Sequence, residues 1–387
     1  MKKLAIITTH PIQYYAPWFK LLAERKNIQV KVFYTWGEDV LQDKFDPGFG
    51  KSIQWDIPLL EGYDYSFEKN IAKDKGSHHF GGIVCPELIE NITQFKPDAL
   101  LVIGWAYKAH LKAIRYFKGK IPILFRGDST LLNEKDGFSI KKYIRKIFLK
   151  WVYGNIDIAL YVGENNRKYY KRFGLKDSQL IYAPHAIDNM RFSDIDGKYE
   201  LAAKEWRSRL GIPEKNIVFL FTGKLEQNKA PKVLLKAFLE AKIENANLLF
   251  VGNGNLESEL RDEANGALNV HFIEFQNQSM MPVVYRLGDI FVLPSQSETW
   301  GLAINEAMAS GRCVITSNKC GGAISLISQE FGDIFLANNV ASLKSCLLKW
   351  AAIERFQLER LGIKAQQNIK SFNFASIVDV IENSVKR

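Results

Sequence analysis

Two glutamates, Glu298 and Glu306, are the residues whose type and spacing most clearly indicate chemistry in this chain. Residues 288–295 form an apolar run that predicts a buried strand, and residues 302–310 predict a helix that Gly311 ends. Glu298 is therefore expected in a strand-to-helix loop, and Glu306 about one turn into the helix. Ligands bind at such loops in open α/β sheets, and helix N-termini attract anions. Two acceptors beside an anion site suit a ligand with a central phosphate and hydroxyls at both ends.

Two lysines form a second candidate group in the same half of the chain. Lys224 and Lys229 follow a predicted strand at 217–222, with Gly223 between strand and loop and Pro231 at the first position of a helix. Two ammonium groups at the carboxyl edge of a sheet would neutralise a diphosphate and stabilise a departing nucleotide. The alternative is a pair of solvated surface lysines. The glutamate pair in the same predicted domain favours the functional interpretation.

The elements that must position these residues alternate between short apolar strands and helices, which predicts parallel sheets covered on both faces. We therefore predict an α/β chain of two Rossmann-like doubly wound domains facing a cleft, with a C-terminal helix packing back across the domains. The predicted domains are 1–195 and 196–370, followed by a crossover helix at 371–387. Residues 37–79 lack periodicity and are expected to form irregular loops facing the substrate, with room for a strand pair.

Length and composition describe an ordinary globular protein: 387 residues, 47% hydrophobic and 24% charged. Two lysines and only four apolar residues open the chain, which predicts a first strand rather than a signal peptide. The sequence contains no run of about 18 apolar residues, so we expect no membrane span. The cysteines have no CxxC spacing and are expected to be reduced thiols in a cytoplasm: Cys85, Cys313, Cys320 and Cys346.

Positive charge is concentrated in the first half of the chain. Residues 1–195 contain 30 Lys and Arg against 21 Asp and Glu, a net +9, which leaves +1 of the total +10 for the remainder. Such asymmetry is typical of proteins that bind nucleic acid, anionic lipid or phosphate-bearing substrates. A generally basic proteome is the alternative explanation.

The spacing of these motifs resembles the retaining GT-B glycosyltransferases of family 4, also called group 1. The resemblance is most specific over 215–330 and rests on Phe221-Thr-Gly-Lys224, Lys229, Pro294-Ser295, Glu298 and Glu306 in an E-x7-E arrangement, and Gly321-Gly322. In the first half, Ala183-Pro-His-Ala-Ile-Asp188 is similar to the domain-closing segment of the family. Arg126-Gly-Asp-Ser129 is similar to an R-G-E-S variant found in some members.

The resemblance implies that 1–195 is the acceptor-binding domain and 196–370 the donor-binding domain, and it implies a role for each matching position. Glu298 would contact hydroxyls of the donor sugar, Glu306 would hold the ribose hydroxyls of the nucleotide, and Lys224 with Lys229 would bind the diphosphate. Other donor-side positions would be Gly223, Thr299, Trp300 and the backbone amides at Gly301 and Leu302. It also implies transfer with retention at the anomeric carbon, without a required metal and without a cofactor beside the nucleotide-sugar donor.

The acceptor side departs from the family pattern. Many members have a glycine-rich loop after the first strand, whereas this chain has bulkier residues at 8–15, and many have a histidine where Arg126 falls. The acceptor-side candidates are His10, Gln13, Arg126 and Asp128. A lone loop histidine is more often structural than functional, which is the alternative for His10.

Residues 139–151 predict an amphipathic helix with a strongly basic side. Apolar residues share one face, and the cations on the other side are Lys141, Lys142, Arg145, Lys146 and Lys150. This pattern is typical of a helix that lies on an anionic membrane surface. An ordinary helix packed on a core carries the same apolar stripe, so both interpretations stay open.

Three other motifs carry weaker signals. Asp194-Ile-Asp196 matches a metal-binding triplet but has no preceding strand, so we interpret it as solvated charge. Gly252-Asn-Gly254 is too short for a dinucleotide fingerprint and would instead let the chain pass close to a nucleotide. His78-His79 lacks partner ligands in its own segment, so no metal site is expected.

Together the residues and the family resemblance predict a cytoplasmic glycosyltransferase. The membrane interpretation of 139–151 would place it peripherally on the inner membrane face. We expect it to use a nucleotide sugar and a glycan or lipid-linked acceptor, as in bacterial cell-surface polysaccharide or glycolipid synthesis. The alternatives are transfer to a soluble small acceptor and a non-catalytic nucleotide-sugar-binding protein. A nucleic-acid-binding protein would leave the glutamate pair unexplained.

Overall fold

The computed structural model describes residues 1–38, 44–46, 51–53, 55–134, 137 and 139–386, and of 44–46 and 51–53 the backbone alone. Packing divides the chain into two units. Unit 1 contains Met1–Lys44, Ile57–His185 and Phe374–Arg387, and unit 2 contains Phe45–Asp56 and Ala186–Asn373. Apart from the insertion of Phe45–Asp56, the chain passes between the units after 185 and after 373. The sequence predicted boundaries after 195 and 370.

The strands are short, and most are buried. In chain order they are β1 Lys3–Thr8, β2 Gln29–Tyr34, β3 Lys44–Asp46, β4 Lys51–Ile53, β5 Asp64–Phe67, β6 Ala99–Ile103, β7 Ile123–Arg126, β8 Ile158–Tyr161, β9 Leu180–Tyr182, β10 Ile217–Thr222, β11 Ala246–Val251, β12 Val270–Ile273, β13 Ile290–Leu293, β14 Cys313–Ser317 and β15 Gly332–Phe335. β3 and β4 pair with each other, so the strand pair allowed for within 37–79 is present, although other parts of that stretch lie outside the described residues.

Most of the described α-helices lie between strands, as the pattern predicts. They are α1 Ala16–Arg25, α2 Leu88–Phe95, α3 Lys108–Phe117, α4 Ile140–Tyr153, α5 Glu164–Arg172, α6 Asn189–Phe192, α7 Lys198–Arg209, α8 Pro231–Ala241, α9 Glu257–Glu263, α10 Met281–Arg286, α11 Leu302–Ala309, α12 Ala323–Leu326, α13 Val340–Ala351, α14 Arg355–Ile369 and α15 Phe374–Lys386. Of the helices that the structure describes, none is long and apolar enough to cross a bilayer.

Unit 1 is built on a parallel sheet of seven described strands in the order β5-β2-β1-β6-β7-β8-β9. β1 and β6 are buried along nearly their whole length, because helices cover both faces of the sheet. The core includes Ile7, Val102, Phe125 and Tyr170. The short outer strands β5 and β9 were not predicted, since neither forms an apolar run.

Unit 2 contains a parallel sheet of six described strands in the order β12-β11-β10-β13-β14-β15. β10 is buried at every position and pairs with β11 on one side and β13 on the other. Two Rossmann-like sheets confirm the predicted fold class. The final helix, α15, returns to unit 1 as expected: Asn27 Nδ2 donates to Glu382 Oε2 at 2.8 Å, and Arg25 pairs with Asp379 beside α1.

Candidate functional site

The candidate site of unit 2 lies at the point where the strand order of its sheet reverses. β10 and β13 are neighbours in space, but the chain between them runs outward through β11 and β12 before it returns. Crevices form at the carboxyl ends of the two strands at such a point, and ligands bind there. Lys224 and Lys229 follow β10, and Glu298 follows β13. The topology thus brings the two sequence-predicted groups to one edge.

Glycines allow the loops after β10 and β11 to pack against each other. Gly223 N donates to Val251 O at 3.0 Å, and Leu225 N donates to Asn253 O at 2.9 Å. A Cβ atom built at Gly252 would lie 2.1 Å from Gly223 O, and one at Gly254 would lie 2.4 Å from Leu225 O. Gly252 and Gly254 therefore let the backbone after β11 approach the backbone after β10 closely, which fixes the loop that carries Lys224.

Replacing Gly252 with alanine should destabilise the protein by about 3 kcal/mol. Gly252 has a φ of 137°, so an added Cβ adopts a strained conformation and also meets the Gly223 carbonyl. The matched control is Gly266→Ala. Gly266 also has a positive φ, of 84°, but a Cβ atom there would meet no other atom within 4 Å, so this change should lower the stability by about 1 kcal/mol. Thermal unfolding of both variants measures the difference; equal losses would contradict the close-approach argument.

The loop that carries Glu298 is held by backbone bonds on two sides. Gln296 N donates to Asn228 O at 2.8 Å, and Asn228 Nδ2 donates to Ser297 O at 2.9 Å. On the other side, Glu298 N donates to Lys319 O at 3.1 Å, and Gly321 N donates to Glu298 O at 2.9 Å. Both backbone groups of Glu298 are satisfied, so the loop presents its carboxylate from a defined position.

The side chains of Lys229 and Glu298 form an ion pair at this edge. Lys229 Nζ contacts Glu298 Oε2, and the side chains are 24% and 20% exposed. Lys229 is the last residue of a 3₁₀ turn at Gln227–Lys229, and Lys224 is half-buried on the same loop. The structure thus joins residues 69 positions apart that the sequence had placed in separate loops.

Glu306 is buried in α11, with 3% of its surface exposed. Tyr285 Oη donates to Glu306 Oε2 at 2.6 Å, and Thr222 Oγ1 donates to Tyr285 Oη at 3.4 Å. The carboxylate is therefore linked through Tyr285 to the carboxyl end of β10. Sequence reasoning missed Tyr285, which lies in the short helix α10, and it gave no role to Thr222, which it quoted only within the strand at 217–222 and the motif Phe221-Thr-Gly-Lys224.

The remaining donor-side candidates surround the start of α11. Gly301 precedes the helix with a φ of 94°, and Leu302 is its first residue. Trp300 is buried; its Nε1 donates to Asn305 Oδ1 at 2.9 Å, and its carbonyl accepts from Gly322 N at 2.9 Å. Thr299 is exposed. The first-turn amides of α11 thus lie in the segment directly after Glu298, with Trp300 as a packed support.

The strand order of the sheet in unit 1 also reverses, at the point where β1 and β6 are neighbours. His10 follows β1; its Nδ1 lies 2.9 Å from Thr9 Oγ1, and its ring meets Trp36 edge-to-face at 5.0 Å. Gln13 is half-exposed in the turn before α1. Loops after β1 and β2 therefore meet at His10 and Trp36, and the acceptor-side role of His10 and Gln13 stays a prediction.

Arg126 ends β7 and is fully buried. Its Nη1 and Nη2 donate to the carbonyls of Ala183 and Pro184, both at 2.9 Å. Burial lowers the pKa of this guanidinium, and the nearby Tyr15, Tyr170 and Asp128 oppose that shift. The bonds attach the 183–184 backbone to the sheet. Arg126 is therefore a positioning residue, and a direct acceptor contact through it stays a prediction.

His185, which sequence reasoning did not select, lies among the acceptor-side candidates. It is buried, its ring stacks on Tyr15 at 6.5 Å, and its Nε2 lies 3.9 Å from Asp128 Oδ2. Burial, and then the charge of Arg126, hold the pKa of His185 well below its ordinary value, so the imidazole is neutral at pH 7. Burial raises the pKa of Tyr15 to about 12. The signal for His185 was its place in the segment that resembles the domain-closing motif.

Two of the weaker motifs need correction. Asp194 is not solvated: its carboxylate accepts from Tyr199 N at 3.1 Å and Glu200 N at 2.8 Å, and lies 3.5 Å from Arg286 Nε. It thus binds the first turn of α7. His78 and His79 do have a partner, because Asp74 lies within 3.3 Å of both rings. All three are exposed, and their hydrogen bonds to one another account for the cluster.

Comparison with known protein families matches much of the second half of the chain. Residues 202–368 match the family model described as Glycosyl transferases group 1. Sulfoquinovosyl transferase SQD2 from Arabidopsis thaliana is 29% identical over 186 residues, which are 47% of this chain and 36% of that protein. Spore coat protein SA from Bacillus subtilis is 36% identical over 132 residues, 31% of this chain and 35% of that protein. The chain spans about a third of the length of these relatives.

Solved structures cover the whole chain. A sucrose-phosphate synthase from Thermosynechococcus elongatus superposes with a TM-score of 0.73 and 17% identity, over 100% of this chain and 98% of that one. The Anabaena protein Alr3699/HepE, solved with UDP, has a TM-score of 0.71 and 15% identity, over 100% of both chains. At this identity the likeness shows the fold, and it confirms the predicted GT-B type for both units.

Proposed function

We propose that this protein is a family 4 glycosyltransferase that moves a sugar from a nucleotide-diphosphate sugar to an acceptor hydroxyl with retention. The observation that carries the proposal is the Lys229–Glu298 ion pair at the strand-order reversal of unit 2. An ammonium beside a carboxylate offers one group for a diphosphate and one for sugar hydroxyls within a few ångströms. The family model that matches 202–368 and the relatives named sulfoquinovosyl transferase and D-inositol 3-phosphate glycosyltransferase support the same class.

The donor would bind along this edge with its diphosphate between the lysines and the first turn of α11. Lys224 and Lys229 neutralise the diphosphate, and the amides of Gly301 and Leu302 add hydrogen bonds. Glu306 accepts from the ribose hydroxyls and Glu298 from the sugar. Catalysis then comes from orientation and from electrostatic stabilisation of the leaving diphosphate. Lys229 exchanges part of its interaction with Glu298 for the phosphate as the donor binds. The reaction needs no metal in this scheme.

For the acceptor we propose a lipid-linked glycan, bound by unit 1 at the inner face of a membrane. The net +9 of residues 1–195 supports an anionic acceptor or surface. A soluble acceptor is the second candidate, supported by relatives named D-inositol 3-phosphate glycosyltransferase, one of which, from Salinispora arenicola, is 27% identical over 43% of this chain and 40% of that protein. The proposed binding of the donor by unit 2 is the same for either acceptor.

A donor-turnover assay tests the proposal. The protein is incubated with UDP-, ADP- and GDP-sugars, and nucleotide release is followed with and without EDTA. We expect at least one donor to be consumed, at a rate that EDTA does not change. NMR of the product should give the anomeric configuration of the donor. Loss of activity in EDTA would refute the metal-free scheme, inversion would refute retention, and binding without turnover would indicate a nucleotide-sugar-binding protein.

A further inference from the structure

Helix α4, Ile140–Tyr153, has two opposite apolar faces, and only one of them is packed. The packed face consists of Leu149, Val152 and Tyr153, which are buried. The other face consists of large side chains that are 40% to 71% exposed: Ile140, Tyr143, Ile144, Ile147, Phe148 and Trp151. At about 100° per residue, these six positions lie within an arc of about 140°. The stripe that the sequence revealed is therefore the solvent-facing stripe, so core packing does not explain it.

Aromatic side chains extend this exposed face towards α3. The Phe148 ring meets Trp105 edge-to-face at 5.7 Å and lies 5.7 Å from the Trp151 ring. The Arg115 guanidinium of α3 lies 5.3 Å from the Trp151 centroid. The result is a continuous apolar surface. Soluble proteins seldom expose so many large apolar side chains side by side, unless the surface binds a partner.

The charged residues of the two helices beside this face all have one sign. α3 contributes three cations and α4 five, and neither helix contains an Asp or Glu: Lys108, Lys112, Arg115, Lys141, Lys142, Arg145, Lys146 and Lys150. Arg145 is partly neutralised by Glu134. In contrast, Lys141, Lys146 and Lys150 make no ion pair with another residue that the structure describes. Lys141 lies on one flank of the exposed face, and Lys146 and Lys150 lie on the other.

We propose that the exposed face of α4, with Trp105 and Arg115 beside it, docks on an anionic lipid bilayer. An apolar stripe flanked on both sides by lysines matches the bilayer interface: the stripe enters the acyl boundary, while the lysine stems extend along it and their ammonium groups meet lipid phosphates. Eight cations on two helices that contain no Asp or Glu favour an anionic surface over a second copy of this chain, which would oppose its own positive charge. The docking does not depend on the proposed transferase activity, since α4 is remote in sequence from the donor loops.

Vesicle flotation of the full-length protein tests this proposal. Vesicles of phosphatidylcholine alone are compared with vesicles of phosphatidylcholine and phosphatidylglycerol, at low salt and at about 0.15 M salt. We expect binding to the anionic vesicles that weakens as salt rises, and little binding to the neutral ones. Ile144→Ser with Ile147→Ser should reduce binding by about tenfold or more. Lys141→Gln with Lys150→Gln should reduce it about 25-fold, at about fivefold for each lysine.

Matched controls are available on unit 2. Phe356 and Ile363 of α14 are exposed to the same degree as Ile144 and Ile147, at 58% and 52% against 60% and 53%. Phe356→Ser with Ile363→Ser should leave vesicle binding unchanged, as should Lys204→Gln with Lys215→Gln. All variants should keep the wild-type melting temperature, because each altered side chain is exposed. Failure of the wild type to float at low salt would overturn the proposal. So would equal losses in the controls, or a dimer that the isoleucine variant disperses without any lipid binding.

Discussion

Replacing Glu298 with glutamine should reduce sugar transfer by about 100- to 1,000-fold while leaving nucleoside diphosphate affinity unchanged or slightly higher. Glutamine keeps the size of the side chain, and the loop remains held by the backbone bonds of residue 298 to Lys319 and Gly321. In the proposed site, the change removes the negative charge that would orient the sugar. It also frees Lys229 from its carboxylate partner, so that the ammonium is more available to phosphate.

The measurement combines turnover of the donor with calorimetric titration of the nucleoside diphosphate. Glu359→Gln, an exposed glutamate on α14, is the control and should behave as the wild type. A Glu298 variant with normal turnover would show that the carboxylate has no role in transfer. A variant that loses both turnover and nucleotide binding would show that Glu298 acts on the structure of the loop instead.

Replacing both Lys224 and Lys229 with methionine should weaken nucleoside diphosphate binding by about 100-fold or more. A hydrogen bond to a charged group contributes about 1.5–3 kcal/mol, and two such groups are removed. The affinity for the nucleoside without phosphates should stay within about twofold, because the lysines contact only the diphosphate. This selective loss separates phosphate binding from a general loss of structure.

Titration of each ligand into the double variant gives these affinities. Lys236→Met changes an exposed lysine on α8 of the same unit and should alter neither affinity. If the double variant binds the diphosphate like the wild type, the two ammonium groups are surface lysines, which was the alternative left open by the sequence. Equal losses for nucleoside and diphosphate would indicate a distorted site.

The sequence predicted the loops of the proposed donor site because each one follows a strongly apolar strand. β10 and β13 are buried along their whole length, so the positions of Lys224, Lys229 and Glu298 at their carboxyl ends followed from hydrophobic pattern alone. The contact between Lys229 and Glu298 did not follow. It depends on β10 and β13 being neighbours, which is a property of strand order rather than of either segment.

Other features could not be predicted from the sequence, because they depend on which face of a helix or strand packs against the rest of the protein. The apolar stripe of α4 was visible, but a pattern does not tell whether a stripe meets the core or solvent. Likewise, Tyr285 contacts Glu306, and His185 lies beside Tyr15 and Asp128. Each of these neighbours comes from a distant part of the chain. Burial then lowers the pKa of His185 and makes its imidazole neutral, an effect that the sequence alone does not predict.

In the proposed function, unit 2 binds a nucleotide through Glu306 at the ribose, and one titration tests this binding most directly. The affinities of a ribonucleoside diphosphate and its 2′,3′-dideoxy analogue are compared on the wild type and on Glu306→Gln, which can keep its bond to Tyr285. We predict that the wild type prefers the ribonucleotide by about tenfold or more, and that the variant binds both alike. The same preference in the two proteins, or no binding of any nucleoside diphosphate to the wild type, would contradict the claim.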